Sequence, residues 1–199
     1  MSRRRYNPGL LESAQCIIGD GLYSPSSHTL IYKTWINIIC RCFSEDFHSK
    51  EPSYKGCRVC KEWLDFQNFA RFYETAPYRE DGWHLDKDIL IKGNKEYAPD
   101  KCVFVPPEIN KLFVGRRLYR GNTPQGVFYE AKRNRYKASM HDGTGKTKNL
   151  GRYLTVEEAF NAYKTAKEAR IRSVAEQFKG RISPELYDAM MNYKIEITD

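Results

Sequence analysis

The chain contains no long apolar run. No segment approaches the roughly 18 uninterrupted apolar residues that predict a membrane-spanning helix. No apolar stretch follows the basic residues 3–5, so the sequence shows no secretory signal. Because a membrane-spanning segment is not predicted, we expect no membrane partner. Tandem repeats and low-complexity blocks are also missing. The 199 residues, 41% of them apolar, give room for one large domain or two small ones.

The sequence gives no indication of disulfide bonding. Its six cysteines occur without an export signal, so we expect a reducing compartment in which each is a thiol or a metal ligand. Cys57 and Cys60 have the spacing of zinc ligands. One hypothesis is a structural Zn²⁺ site of four thiolates, Cys42, Cys57, Cys60 and Cys102. The favoured alternative is core packing, because Cys42 lies on an apolar helical face and Cys102 starts a buried strand.

Acidic residues are scarce in one part of the chain. Residues 111–180 contain 16 Lys and Arg but only six Asp and Glu, whereas the formal charge of the whole chain is +8. The basic excess is therefore confined to this part, and the remainder is slightly acidic. Such an asymmetry indicates a polyanionic partner, and it favours nucleic acid over a membrane surface.

Apolar residues recur at helical spacing on either side of a polar stretch. Residues 1–29 are rich in Ser, Gly, Pro and charge, which predicts a loosely packed arm. Three- and four-residue spacing predicts helices over 30–43 and 61–73, with aromatic side chains on the core face of the second. A short helix over 184–191 and a strand-like tail over 194–198 close the chain.

Residues 83–113 predict a strand, a polar loop, a second strand and the start of a helix. Alternate residues of a strand share a face, so His84, Asp86 and Asp88 are expected to project together. Two carboxylates and an imidazole can hold a divalent cation and leave open positions for water and phosphate. This segment therefore predicts a metal site that cuts phosphodiesters.

Two asparagines complete the expected site. Asn110 lies about one turn into the helix that begins near Pro106 and Pro107, from where its amide oxygen can point back at the strand carboxylates. Asn94 follows a glycine in the polar loop and can orient a neighbouring group or the substrate.

This segment resembles the ββα-metal core of HNH nucleases, and the run 100–110 matches best. In that family a strand acid binds the metal, an adjacent His is the general base, a loop Asn orients that base, and a helix His or Asn completes the metal site. The resemblance implies that Asp86 or Asp88, together with Asn110, binds Mg²⁺ or another divalent cation, with Asn94 in the orienting role.

The sequence departs from the family pattern at the position of the general base. Asp86-Lys87 stands where the family has Asp-His. A lysine is a poor base unless burial strongly lowers its pKa. His84 lies two residues earlier, on the strand face of Asp86. Three readings stay open: His84 or Lys87 is the base, water takes the role, or the site is weak or inactive and serves folding or DNA contact.

A second pattern follows further along the chain. Short strands are predicted over 126–129, 135–140 and 147–153, with glycine-containing turn chemistry between the last two. A helix then begins at Thr155. Thr155 and Glu158 have the spacing of a capping box, in which each side chain satisfies the other's free backbone N–H.

This second pattern resembles the Apetala/ethylene-response-factor type of DNA-binding domain, in which a three-stranded antiparallel sheet packs on one helix and enters the major groove. The matching elements, in order, are Gly126-Val127, Tyr136-x-Ala138, Leu150-Gly151 and Glu157-Glu158-Ala159-x-x-Ala162-Tyr163.

Basic residues occupy the sheet positions that the helix does not cover, and none of these positions is acidic. A narrow basic ribbon fits the major groove, and Arg can pair with guanine through two hydrogen bonds. The expected DNA contacts are Lys132, Arg133, Arg135, Lys137, Lys148 and Arg152. The connector preceding the sheet adds expected phosphate contacts from Arg116, Arg117 and Arg120.

The expected fold class is α+β. An N-terminal helical and ββα-metal (HNH-like) domain is followed by a three-stranded antiparallel sheet packed on one helix. The expected order is an arm over 1–29, the nuclease domain over 30–113, a basic linker over 114–123, the DNA-binding domain over 124–180, and a helix and tail over 181–199.

Taken whole, the chain resembles bacteriophage-type HNH homing endonuclease-like proteins that carry this DNA-binding domain. That resemblance implies a metal-dependent DNA endonuclease or nickase acting on double-stranded DNA in a bacterial cytoplasm. A DNA-binding protein without catalysis, such as a regulator or an inhibitor of host enzymes, is the main alternative. A protein-interaction module that docks through its aromatic helices is the third. The sequence leaves the oligomeric state open.

Overall fold

The computed structural model describes residues 8–26, 29–113, 123–143 and 145–199. The fold is mixed α+β, as expected. The chain divides into two compact units, 1–104 and 105–199. The domain order expected from the sequence stays a prediction. Most of its basic linker, including Arg116, Arg117 and Arg120, lies outside the described residues.

The first unit opens with four helices, α1 Pro8–Ser13, α2 Leu30–Phe43, α3 Glu45–Lys50 and α4 Phe66–Thr75. The bounds of α2 agree with the prediction. The helix predicted over 61–73 is divided instead. Lys61–Leu64 forms a 3-10 turn, and Asp65 starts α4 by accepting the backbone N–H of Gln67 at 2.8 Å. The aspartate interrupts the helix because its side chain satisfies an N-terminal amide that would otherwise lack a partner.

Aromatic side chains form the core of the first unit. Trp35, Trp63, Phe66 and Phe69 are buried, and the Trp35 indole N–H donates to the carbonyl of Trp63 at 2.7 Å. The Trp63 and Phe69 rings meet edge to face with centroids 5.1 Å apart. These contacts join α2 to α4, so the aromatic periodicity belongs to the core, as the sequence indicates.

Residues 8–26, the described part of the segment expected as a loose arm, are anchored within the first unit. Leu11 and Ala14 are buried, and the backbone of Ile17 bonds to Leu64 at 2.9 Å and to Phe66 at 2.8 Å. The high Ser, Gly and Pro content of the segment predicts a loose arm, and the packing of these few apolar residues is not evident from that composition.

Four short strands complete the first unit, β1 Arg58–Val59, β2 His84–Asp86, β3 Glu96–Tyr97 and β4 Val103–Val105. Strand β1 runs parallel to β3, with Arg58 opposite Glu96 and Val59 opposite Tyr97, while β2 pairs with β4. Strand β3 forms within the stretch predicted as a polar loop.

The second unit contains α5 Pro107–Phe113, strands β5 Val127–Glu130, β6 Arg135–His141 and β7 Thr147–Tyr153, then α6 Val156–Gln177 and α7 Pro184–Met191. The sheet is antiparallel in the order β5-β6-β7, and all three strands contact α6. The prediction of a three-stranded sheet packed on one helix is confirmed. The Thr155–Glu158 capping box is also present.

Two features of this unit differ from the sequence expectation. Ala138 pairs with Gly151 while Ser139 pairs with Asn149, so Leu150 is an extra residue that forms a β-bulge. The tail predicted as strand-like over 194–198 forms no strand. It is held instead by buried Ile195, whose backbone N–H donates to the buried carboxylate of Glu168 at 3.0 Å.

Candidate functional site

Asp86 is a residue of the expected metal site whose side chain is held in place by backbone hydrogen bonds. It ends β2, and its Oδ1 accepts the backbone N–H groups of Asp88 and Ile89, each at 2.8 Å. Burial raises the pKa of the Asp86 carboxyl, and these two hydrogen bonds only partly oppose the shift. A carboxylate held in this way is positioned to attract a cation.

Asp88 does not extend the strand face of Asp86, because β2 ends before it. The Asp88 carboxylate instead binds the ammonium of Lys87, with Nζ 2.6 and 2.7 Å from the two oxygens. The Lys87 side chain is only 6% exposed and also donates to the carbonyl of Asn94 at 2.7 Å. An ammonium that donates to three acceptors offers no lone pair to a water molecule.

Asn94 closes the loop that follows β2. Its amide Nδ2 donates to the carbonyls of Lys87 and Glu96 at 2.9 and 2.8 Å, and its Oδ1 accepts the backbone N–H of Glu96 at 2.9 Å. Asn94 therefore fixes the backbone of Lys87 relative to β3. This contact fixes the loop backbone, and the expected role of Asn94 in orienting a base or the substrate stays a prediction.

The other two expected residues lie on separate elements. His84 is exposed at the start of β2, and strand alternation gives it the face of Asp86. Asn110 lies on α5 in the second unit, where its backbone N–H donates to the carbonyl of Pro106 at 3.0 Å. The roles of His84 as base and of Asn110 as metal ligand stay predictions.

Arg41 is a charged neighbour of the site that the sequence analysis missed. It lies in the last turn of α2, packs over the Tyr54 ring at 5.3 Å and donates to the Tyr97 hydroxyl at 3.3 Å. It also interacts electrostatically with Asp86. Its Nε is buried and has no hydrogen-bond partner within the described ranges. The signal available was one arginine in an otherwise apolar helix end.

Within the described ranges, no three His, Cys, Asp or Glu side chains lie together as a metal site would require. The Mg²⁺ and Zn²⁺ expectations therefore stay predictions. A divalent cation fits the donor chemistry of Asp86, an anchored carboxylate in a desolvated position.

The cysteines are reduced, and several are deeply placed. Cys57 and Cys60 flank β1, and residues three apart along an extended segment face opposite sides. Burial raises the pKa of Cys42 and of Cys102 to about 12 and that of Cys16 to about 11, so these thiols stay protonated at neutral pH. These properties fit the alternative of core thiols.

The sheet of the second unit has one covered face and one open face. Val127 and Ala138 are almost wholly buried on the side of α6. Phe128 lies opposite Lys137, which in turn lies opposite Arg152, and these three residues form a row on the other side. We call that side the outer face. Its cations include Lys137 and Arg152, and their binding to a polyanion stays a prediction.

Glu130 changes the expected charge of the outer face. Arg152 donates to it from Nε at 2.6 Å and from a terminal nitrogen at 3.3 Å, and Arg133 approaches it at 3.7 Å. The hydrogen bond from Arg152 lowers the pKa of Glu130, and the same bond raises that of Arg152. The sequence pattern predicts DNA contacts from the basic positions, and it does not reveal that Glu130 places an acid between them.

The remaining expected DNA contacts do not all belong to the outer face. Lys132 and Arg133 lie in the 3-10 turn after β5, and Arg135 donates to the carbonyl of Asn134 at 2.8 Å. Lys148 is exposed on β7 opposite Met140, which is buried on the same side as Ala138, so the register gives Lys148 the side of α6 and not the outer face.

Compared with known proteins, the chain matches no family model, no curated protein and no solved structure. None of the helices in the described ranges combines the length and the hydropathy needed to traverse a bilayer.

Proposed function

We propose that this chain binds double-stranded DNA through the outer face of its sheet and that its first unit is an HNH-type, metal-dependent endonuclease or nickase. The observation that carries the DNA-binding part is the two-sided sheet. One side is covered by α6, and the other bears Lys137 and Arg152 in one row, with Arg135 on the same strand as Lys137. The resemblance to HNH nucleases extends this proposal to the cutting of DNA in a bacterial cytoplasm.

Duplex DNA suits the outer face by shape and by charge. A β-ribbon can enter a major groove about 12 Å wide, where Arg and Lys can reach guanine and the flanking phosphates. The turn with Lys132 and Arg133 lies at one end of the strands and can follow the phosphate backbone. Such binding is expected to weaken steeply as salt concentration rises.

For cutting, Asp86 of the first unit would hold a divalent cation. The chemistry that such a cation supplies is electrostatic stabilisation of the phosphate charge. His84, which shares the strand face of Asp86, is the favoured base, because the Lys87 ammonium is bound to Asp88 and Asn94. Asn94 positions the loop backbone.

A supercoiled-plasmid nicking assay with Mg²⁺, Mn²⁺ or EDTA tests this proposal. We expect metal-dependent nicking that Asp86→Ala and His84→Ala abolish and Lys87→Met retains. Asp100→Ala is the matched control, because Asp100 is an exposed acid of the same unit. No nicking with any metal, or an Asp86→Ala variant equal to the parent protein, would remove the nuclease part of the proposal.

One observation favours a second candidate, a DNA-binding protein without catalysis. Lys87 stands where the resembled family has its catalytic His, and its ammonium is bound to a carboxylate and a carbonyl. This candidate predicts salt-dependent DNA binding in a gel-shift assay and an intact plasmid under every metal condition. The two assays together separate the candidates.

A further inference from the structure

An aromatic side chain stands among the cations of the outer face. Phe128 is 51% exposed on β5, although its neighbour Val127 is buried on the opposite side. Lys137 is its partner on β6, and Arg152 continues the row on β7. About half of this large apolar side chain is therefore open to solvent next to the Lys137 cation.

A partner that matches this row must present an apolar group next to anionic groups. Duplex DNA does so in its major groove, where the phosphates flank the base edges. The apolar group on those edges is the C5-methyl of thymine, and an aromatic side chain is a suitable contact for it. Lys137, opposite Phe128, can face a phosphate or a guanine in the same approach.

The ion pair between Glu130 and Arg152 supports a base contact for Phe128. Arg152 is held by Glu130, so it is less available for phosphate than its exposure indicates. Phe128 carries no such competing contact among the described residues of the outer face. The ring is therefore the most accessible feature of the row for a group on a base edge.

From this arrangement we infer that Phe128 contacts the thymine methyl group and gives the outer face a preference for A·T-containing duplexes. The inference rests on the proposed DNA-binding function. It adds a specificity-determining residue to that function, and it does not depend on whether the first unit cuts DNA.

Binding to three alternating duplexes tests the inference by fluorescence anisotropy at one fixed salt concentration. The duplexes are d(AT), d(AU), which lacks only the thymine methyl, and d(GC), all of one length. Alternating sequences offer a methyl in every binding register. We expect the full chain to bind d(AT) about fourfold more tightly than d(AU), the factor that burial of one methyl group gives.

Variants assign the preference to the ring. Phe128→Ala is expected to bind d(AT) and d(AU) equally, and Phe128→Leu to keep part of the preference. Tyr129→Ala is the matched control, because Tyr129 is also 51% exposed and is adjacent in sequence, but it alternates to the other side. It is expected to keep the d(AT) to d(AU) ratio. Circular dichroism verifies that each variant is folded.

Each of the remaining outcomes contradicts either the inference about Phe128 or the proposed DNA-binding function. Equal binding of d(AT) and d(AU) by the parent protein overturns the inference and leaves DNA binding intact. Equal weakening on both duplexes in Phe128→Ala makes the ring a general contact and also overturns it. Tighter binding to single-stranded oligothymidine, which does not pair with itself, than to d(AT) assigns the ring to base stacking instead. No binding to any duplex overturns the proposed function itself.

Discussion

The carboxylate of Glu130 on β5 reaches the guanidinium of Arg152 on β7, with Oε2 2.6 Å from Nε. Strand β6 lies between the two strands, so this ion pair spans β6 near one end of the outer face. The pair places a negative charge where the proposed function needs positive charge. Glu130 therefore acts as an internal competitor for the phosphate that Arg152 would bind.

Replacing Glu130 by Gln is expected to strengthen DNA binding several-fold. The change frees Arg152 and Arg133 for phosphate, and each additional phosphate contact steepens the dependence of log K on log salt by about 0.9. Anisotropy titrations between low and moderate salt measure both quantities. Glu185→Gln is the control, because it removes one negative charge from an exposed residue of α7. Equal gains in the two variants would assign the effect to net charge alone.

Replacing Gly126 by Ala is expected to destabilise the second unit strongly. Gly126 has φ +76°, and an added Cβ would lie 2.0 Å from the ring of Tyr163, which is buried. The left-handed backbone costs about 1–2 kcal/mol, and the overpacking adds about 1–3 kcal/mol. Urea unfolding followed by circular dichroism measures the loss.

Gly180→Ala separates the two contributions. Gly180 follows α6 with φ +81°, but no atom lies within 4 Å of an added Cβ. This variant is expected to lose only the backbone part. Equal destabilisation at the two positions would show that the contact with Tyr163 contributes nothing.

Replacing Asp86 by Asn is expected to stabilise the first unit at neutral pH in EDTA. The folded pKa of Asp86 is raised, so folding favours the protonated form. Stability is thus greatest below the unfolded pKa and falls as pH rises through the folded pKa. Asn removes the charge and keeps the oxygen that accepts the two N–H groups. Calorimetry at neutral and acidic pH should show the difference shrinking in acid.

The same variant reports on metal binding. If Asp86 is a ligand, Mn²⁺ raises the melting temperature of the parent protein by mass action and leaves Asp86→Asn unchanged. Asp100→Asn, an exposed acid of the same unit, should behave as the parent does. An equal response of all three proteins would place any Mn²⁺ binding elsewhere.

Replacing Lys167 by Met is expected to remove a pH dependence of the second unit. Burial, with Arg170 adding repulsion, lowers the pKa of Lys167 to about 8. Between that value and the ordinary lysine value the unfolded chain binds more protons, so stability rises with pH across this window. The parent protein should gain roughly 1–3 kcal/mol from pH 8 to 10.5.

Urea unfolding at several pH values measures this gain. Lys167→Met should be more stable than the parent at pH 7 and nearly flat across the window. Lys111→Met is the control, because Lys111 is an exposed residue of α5, and it should keep the rise. A rise that persists in Lys167→Met would assign it to another group.

Local patterns predicted much of the fold. Helices α2 and α7 begin and end where the spacing of apolar residues and the caps place them, and the three strands of the sheet agree to within one residue. These elements are specified by side chains a few residues apart, and the capping box at Thr155 is such a pair. Nearest-neighbour chemistry of this kind is legible in a sequence.

The departures come from contacts between distant residues. The β-bulge at Leu150 depends on the register with β6, and the Glu130–Arg152 pair joins residues 22 apart. The sequence leaves Lys87 open as a candidate base, because the buried contact of its ammonium with the carbonyl of Asn94 is not visible in the sequence. Strand alternation grouped Asp88 with Asp86 only on the assumption that β2 continued beyond Asp86.

The tryptophans described in the aromatic core have an optical consequence. Trp35, Trp63 and Trp83, the three tryptophans of the chain, all belong to the first unit. Their near-ultraviolet emission is therefore a built-in spectroscopic probe of that unit alone. The second unit contains no tryptophan, so comparing this emission with circular dichroism, which follows both units, distinguishes independent from concerted denaturation without any attached dye.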